Sequence, residues 1–285
     1  MQKIGFIGQG WIGKNYADNF EKRGFNIIRY SLDAEYNGNK EKIKDCDIVF
    51  IAVPTMTTPA GFDGQIVRET VKLVGLGRIA VIKSTLLPGT TEAIQKENPN
   101  IFILHSPEFL TRYTAKKDVE VPPRNIIGLP VDNDDYRQAA ESVLRLVPRA
   151  PYNLICSAKE AEIIKYVRNC QGYFRVIFAN LAYDLAKALG VDWDNIEQAM
   201  AADPINGGYY YKPIHDNGRG AGGPCYIKDF AVFSKLYMEK VGDVSGNKLF
   251  ESMQNKNIRL LVESKKDLDL LKMVYGDKVV NKIIK

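Results

Sequence analysis

Histidine is nearly absent: the 285 residues hold two, His105 and His215. Each reads as structural or solvated, and two lone histidines make no metal site. The four cysteines, Cys46, Cys156, Cys170 and Cys225, lack metal-type spacing and are too sparse for a disulfide framework. No run approaches the ~20 apolar residues of a membrane span. The first apolar stretch, Ile4 to Gly8, is too short for a secretory signal and ends in a glycine turn. These absences read together as a reducing, cytoplasmic protein with no membrane partner. No basic block is interleaved with aromatics, so nucleic acid is not the favoured partner either. An anionic small molecule suits the net charge of +5.

Hydrophobic residues make up 45% of the chain, enough for a real core, and the length suits two domains. Over residues 1–155 short apolar runs alternate with helix-like stretches. The runs are Lys3–Gly8, Phe25–Ser31, Asp47–Val53, Arg78–Ser84, Ile101–His105 and Asn125–Leu129. They are rich in Ile, Val and Phe and nearly continuous, as strands buried on both faces should be. Helical pieces such as Trp11–Arg23, Gln65–Leu76 and Asp134–Leu146 lie between them. The alternation predicts an α/β fold with a parallel, doubly wound sheet.

Residues 156–285 differ. Ser157-Ala-Lys-Glu160 forms a capping-box pattern. Apolar residues from Ile164 to Leu189 then recur mostly at three- and four-residue spacing, and Gly190 is placed to end the pattern. This predicts one helix of about 30 residues, some 45 Å long. Such a helix outspans a small domain and suits a spine between domains or subunits. A short helix near Asp194–Ala202, a glycine-rich loop from Asn206 to Pro224 and further helices follow. The second half is therefore expected to be all-α.

Gly8-Gln-Gly10-Trp11-Ile12-Gly13 follows the first strand and opens a helix. This is a Rossmann dinucleotide fingerprint: Gly8 for the tight turn, Gly10 for backbone approach to a pyrophosphate, Gly13 for close packing of helix on strand. The acid expected to bind the ribose about 20 residues later is replaced by Ser31, with Arg29 before it and Asp33 beyond. An arginine beside a missing acid fits NADP, whereas Asp33 reaching the ribose fits NAD. The residues alone leave both open.

Gly222-Gly-Pro-Cys225-Tyr-Ile-Lys228-Asp229 is the most specific stretch of the chain. A glycine loop delivers one cysteine just ahead of a predicted helix that Asp229 can cap. Lys228 and the helix N-terminus would favour the thiolate.

This stretch resembles the Gly-Gly-x-Cys-x-x-Lys-Asp motif of the UDP-glucose/GDP-mannose dehydrogenase family. Ser84-Thr85-Leu-Leu-Pro88-Gly89-Thr90 is similar to its Ser-Thr-x-x-x-Gly-Thr cofactor loop. Ser106-Pro107-Glu108-Phe109-Leu110 is similar to its Pro-Glu-Phe-Leu segment, and Glu162-Ile-Ile-Lys165-Tyr166-Val-Arg-Asn169 to the start of its long central helix. The order is the family's, up to about residue 240.

The resemblance implies NAD as cofactor, a nucleotide sugar as substrate, and two successive oxidations of an alcohol carbon to a carboxylate. Cys225 would attack the intermediate aldehyde, and the thiohemiacetal would become a thioester. Lys165 and Asn169, four apart on one helical face, would hold the oxyanion, unless that face is merely solvated. Asp229 would position a water or act as base, or serve only as a cap. Thr85 would sit beside the nicotinamide or that water, or simply end a strand. Cofactor contacts are expected from Gly8, Gly10, Trp11, Ile12, Gly13, Ser31, Val53, Pro54, Thr55, Thr85, Glu108 and Lys228. Substrate contacts are expected from Phe109, Leu110, Lys165, Asn169 and Gly222. The central helix implies a homodimer.

Three departures qualify the resemblance. Arg112 stands where the family has its thioester-hydrolysing glutamate, and arginine cannot act as a base; Glu108 is the retained carboxylate. Asp203-Pro-Ile205-Asn206-Gly207 lacks the arginine of the family's Asp-x-Arg-Ile-Gly segment, with Arg219 the cation nearer the cysteine. No second strand–helix alternation follows the long helix, so the family's second α/β domain, which grips the nucleotide, is not expected within these residues. The tyrosines Tyr209, Tyr210 and Tyr211 could line a pocket or pack the loop. Two rival readings stand beside the family one: a dehydrogenase acting once on a smaller hydroxy acid or sugar acid, and a non-catalytic NAD-binding homologue.

Overall fold

Nearly continuous apolar runs need cover on both faces, and a sheet flanked by helices supplies it. The computed structural model describes residues 2–205 and 209–284. Strands β1 (Ile4–Ile7), β2 (Ile27–Tyr30) and β3 (Ile48–Ile51) lie in one sheet, while β4 (Met56–Thr58) and β5 (Gly61–Asp63) form a hairpin of their own. The sheet continues with β6 (Ile79–Ile82), β7 (Phe102–His105), β8 (Arg124–Leu129) and β9 (Tyr152–Ser157), in the order β2-β1-β3-β6-β7-β8-β9. All six predicted runs are strands. The chain leaves β1 toward β2 on one side and returns to β3 on the other. The crevice outside the carboxyl ends of β1 and β3 is therefore the topological switch point where such sheets bind ligands.

Two features depart from a uniformly parallel sheet. β8 runs antiparallel to β7, then pairs in parallel with β9. The cause is the connection after β7, whose only helix is α4 (Ala115–Glu120), six residues long. At 1.5 Å per residue it spans about 9 Å, less than the roughly 13 Å of a four-residue strand, so this helix alone does not span a parallel return. The strand β9 was not foreseen. Tyr-Asn-Leu-Ile-Cys-Ser neither alternates nor forms a long apolar run, because it is a half-exposed edge strand.

Helices α1 (Trp11–Lys22), α2 (Gln65–Val71), α3 (Thr90–Glu97) and α5 (Asp134–Leu146) complete the first half. Beneath α1, Phe6 stacks on Phe50 at 5.1 Å and meets Phe20 edge-on at 5.2 Å, the aromatic centre of this core.

The predicted long helix is α6 (Ala158–Leu189), 32 residues. Its capping box is present: Glu160 N–H donates to Ser157 Oγ at 3.3 Å, and Ser157 N–H donates to the Glu160 carboxylate at 2.8 Å. Gly190 ends it in the left-handed region, φ +68°. Then follow α7 (Trp193–Ala202), the two-residue strands β10 (Ile214–His215) and β11 (Gly218–Arg219), α8 (Gly223–Lys240), α9 (Val244–Glu263), α10 (Leu268–Tyr275) and α11 (Asp277–Ile284). Asn206 and Gly207, part of the segment that departs from the family pattern, lie outside the described residues. The chain divides into two compact units, residues 1–56 with 63–165, and residues 57–62 with 166–285. No helix among the described residues is long and apolar enough to cross a membrane.

Candidate functional site

In the first unit the glycine fingerprint connects β1 to α1. Gly8 takes φ +89°, and its N–H donates to the Tyr30 carbonyl at 2.8 Å, fixing the turn to the end of β2. A Cβ at Gly13 would lie inside the contact radius of the Gly8 carbonyl oxygen, so helix and strand touch backbone to backbone there. A Cβ at Gly10 would meet nothing within 4 Å. The open side of the loop is thus at Gly10, beside the free amides of a 12-residue helix, as a pyrophosphate requires. Trp11 is exposed and Ile12 half-buried at the same turn.

Val53, Pro54 and Thr55 follow β3, on the other side of the switch point. The Ser84 hydroxyl accepts from Val53 N–H at 3.0 Å and donates to the Val53 carbonyl at 2.7 Å. This ties the loop after β3 to the loop after β6 and places half-buried Thr85 next to that tie. At the end of β2, Arg29 is buried and paired with Asp18 at 2.8 Å and Glu21 at 2.6 Å. It is committed to these carboxylates, so it is not the free cation that a ribose 2′-phosphate would need. The Ser31 hydroxyl donates to the Asp33 carboxylate at 2.8 Å, which leaves an acid at the ribose end of the crevice.

Glu108, Phe109 and Leu110 follow β7. Glu108 is buried, with Oε1 accepting from the Leu110 N–H. The Phe109 ring carries the Arg124 guanidinium at 4.1 Å and the Lys165 ammonium at 5.5 Å. Lys165 is buried and donates to the Glu108 carbonyl, so it does not lie on a solvated face. Arg112 is exposed. His105 is buried, and burial with the nearby Lys83 charge pulls its pKa down to about 3, so it is neutral.

Glu162, at the start of the long helix, has a part that its motif does not announce. The buried Glu162 carboxylate accepts from Gly89 N–H at 2.6 Å, Thr91 N–H at 2.8 Å and the Thr91 hydroxyl at 2.6 Å. It caps α3 and anchors the end of the Ser84–Thr90 loop.

In the second unit the cysteine loop is held from the C-terminal side. The Asn257 side chain accepts from Ala221 N–H at 2.7 Å and donates to the Ala221 carbonyl at 3.1 Å. The Asp267 carboxylate accepts from Gly223 N–H at 2.7 Å, and a Cβ on Gly222 would collide with that carboxylate. Helix α8 starts at Gly223 with Pro224 in its first turn, which corrects one expectation: Cys225 lies inside the helix, and Asp229 is not its cap. Asp229 instead is buried, accepting from the Asn169 amide at 2.6 Å and paired with Lys228 at 2.7 Å. The Lys228 charge is thus matched by Asp229 rather than free for the thiol. Cys225 is exposed and unbridged. Tyr209 is exposed, while the Tyr210 ring packs edge-on against Tyr226 at 5.6 Å. His215 sits beside Asp216 in the β10–β11 hairpin, 3.4 Å from its carboxylate. Arg219 is bound to Asp184 at 2.6 Å and Asn180 at 2.9 Å, so the anion it meets belongs to its own chain.

Residues 29–146 match the NAD binding domain of the UDP-glucose/GDP-mannose dehydrogenase family, and residues 159–258 match its central domain. The UDP-glucose 6-dehydrogenase AglM of Haloferax volcanii is 26% identical over 283 residues, covering 81% of this chain and 64% of that protein. The GDP-mannose 6-dehydrogenase of Pseudomonas aeruginosa is 29% identical over 216 residues, covering 67% of this chain and 46% of that protein. The chain spans less than two thirds of either relative. A UDP-glucose dehydrogenase structure from Pyrobaculum islandicum is similar with TM-score 0.75 at 25% identity, covering 92% of this chain and 70% of that one. A 3-hydroxyisobutyrate dehydrogenase from Mycobacterium tuberculosis shares the fold, with TM-score 0.70 at 16% identity over 96% of this chain and 98% of that one.

Proposed function

Because the chain belongs to the UDP-glucose/GDP-mannose dehydrogenase family, we propose that it is an NAD-dependent nucleotide-sugar dehydrogenase, oxidising a hexose C6 alcohol toward the uronate through Cys225. The observation that carries this reading is the setting of Cys225: an exposed thiol in the first turn of α8, just after a clamped loop and one turn from the buried Asn169–Asp229 pair and its partner Lys228. NAD, when bound, accepts the hydride in each oxidation.

The chain's own residues do the rest. The Cys225 sulfur bonds to the aldehyde carbon, and the thiol proton passes to the carbonyl oxygen. After the second oxidation the carbon is a thioester. Water then attacks, the C–O bond forms, the C–S bond breaks, and the sulfur regains a proton. Asn169 and Lys165, which also donate to Asp229 and to the Glu108 carbonyl, are the donors for the oxyanion. Glu108 takes the water proton in place of the glutamate that Arg112 replaces.

NADH counted against a panel of UDP- and GDP-sugars tests the reading. Two NADH per sugar are expected. One per sugar removes the double oxidation. None from any sugar, despite bound cofactor, rejects the nucleotide-sugar reading and leaves the smaller substrate or the non-catalytic homologue. The proposed compartment is the cytoplasm, where four unbridged cysteines stay reduced.

We also propose a homodimer through α6. Phe178, Leu181, Leu185 and Leu189 recur along one helical face, and Phe178 and Leu185 are 63% and 60% exposed. A bare apolar stripe of this kind marks an interface. Sedimentation velocity should find a dimer, and the double variant Leu181→Asp, Leu185→Asp a monomer. A monomeric wild type would reject it.

A further inference from the structure

Lys83 follows the last residue of β6 and is only 4% exposed. Its ammonium has long contacts to the Ser106 hydroxyl, 3.3 Å, and the Ser106 carbonyl, 3.4 Å, and lies 4.1 Å from the centroid of the Tyr16 ring. None of these is an anion. Desolvation lowers its pKa to about 8, partly opposed by Glu108.

Glu108 lies two residues beyond Ser106 and is 3% exposed. Its Oε1 accepts from Leu110 N–H, while its Oε2 has no hydrogen-bond partner. Burial pushes this carboxyl up, and Lys165 and Lys83 pull it back. The other groups around Lys83 are the buried Tyr16 hydroxyl on α1, neutral His105 on β7 and Lys165 on α6; Asp118 on α4 acts on Tyr16. Two ammonium groups thus serve one carboxylate, and Lys83 does so without an ion pair among the described residues. Stability alone favours an apolar side chain in such a place.

We propose that Lys83 is a positioning residue: held by Ser106 and the Tyr16 face, it keeps the Glu108 carboxylate ionised, with Oε2 free to accept a proton. This rests on the proposed function, in which water releases the acid. As the water oxygen bonds to the acyl carbon, its proton goes to Glu108 Oε2 and the C–S electron pair returns to sulfur. Lys83 touches no reacting atom; it sets the pH above which Glu108 is a base.

The deciding measurement uses the whole chain and no sugar. The infrared C=O band of a buried carboxylic acid is titrated against pH in wild type and in Lys83→Met, with Glu108→Gln to identify the band. The midpoint should rise by about one pH unit or more in Lys83→Met; an unmoved midpoint overturns the proposal. Lys83→Gln, which keeps a donor for Ser106, is the second variant should methionine disturb folding.

Heat unfolding gives an independent arm. A lysine whose folded pKa lies below its unfolded value sheds its proton first in the folded state. The Lys83 contribution to stability therefore rises with pH between about 8 and 10.5, and the difference between wild type and Lys83→Met isolates it from the Cys46, Cys156 and Cys170 thiols, whose contribution falls above about pH 9. Lys83→Met should melt about 2–4 °C above wild type at neutral pH, with the advantage fading across that window. A variant that melts lower at neutral pH makes Lys83 a packing residue and overturns the proposal. If no sugar yields NADH, the nucleotide-sugar reading fails while both arms still judge Lys83. If UDP-glucose is turned over, the acid limb of kcat in Lys83→Met should move up with the band.

Discussion

Cys225→Ala is expected to lower NADH formation from UDP-glucose by about 10³-fold or more while leaving NADH binding unchanged. The loss is large because α8 carries no second thiol to form the thioester. Pro224 carries no nucleophile, and the buried Asp229 carboxylate is held by Asn169 and Lys228. NADH binding is spared because the glycine fingerprint belongs to the other compact unit. Alkylation offers a check without substrate. Burial, then neighbouring carboxylates, push the Cys46 and Cys156 thiols up to about 11, and burial pushes Cys170 higher still. These three stay protonated at neutral pH and react slowly. Cys225 is the exposed one. Iodoacetamide should add one label per chain to wild type and none to Cys225→Ala. Undiminished turnover in the variant would eliminate the thioester route and favour a single oxidation.

A paired substitution in the fingerprint should separate cofactor binding from folding. At Gly10 a side chain meets open space, so Gly10→Val should fold normally yet lose NADH affinity by about 10²-fold or more, because its methyl groups stand where the pyrophosphate approaches. At Gly13 a side chain meets the Gly8 carbonyl, which is backbone and cannot swing aside. Gly13→Ala should therefore lose affinity and also about 1–3 kcal/mol of stability, since α1 must back away from β1. NADH fluorescence and thermal unfolding measured together decide it. If Gly10→Val retained affinity, the cofactor would not cross this loop.

The sheet was legible because its strands are buried on both faces. Buried strands demand unbroken apolar runs, and Ile48–Ile51 and Ile79–Ile82 are short, rich in β-branched residues and read as strands on that ground. The edge strand Tyr152–Ser157 escaped for the same reason in reverse: only part of it is covered, so its sequence carries no pattern. The long helix and both its ends were written in capping residues, Ser157, Glu160 and Gly190, whose effect is local. Contacts between distant positions left no such trace. Asn169 and Asp229 are 60 residues apart, and the pairs that hold the cysteine loop, Ala221 with Asn257 and Gly223 with Asp267, are 36 and 44 apart. The helix start at Gly223 was misplaced because Pro224 reads equally as loop or as first turn. Lys83 carries no mark in the sequence either, since a lysine at a strand end is ordinarily solvated.

Glu162 has a consequence for how the gene can change. Its carboxylate grips three donors at the start of α3, and Lys165, less than one turn later, reaches the Glu108 carbonyl. These two attachments fix the first turns of α6, up to Lys165, against rotation about the helix axis. One inserted codon between positions 162 and 165 would turn Lys165 by about 100° and break one attachment or the other. Neighbouring codons can be replaced one for one, but their number cannot drift. Gains and losses of length must collect elsewhere, for example past Gly190, where the helix has already ended.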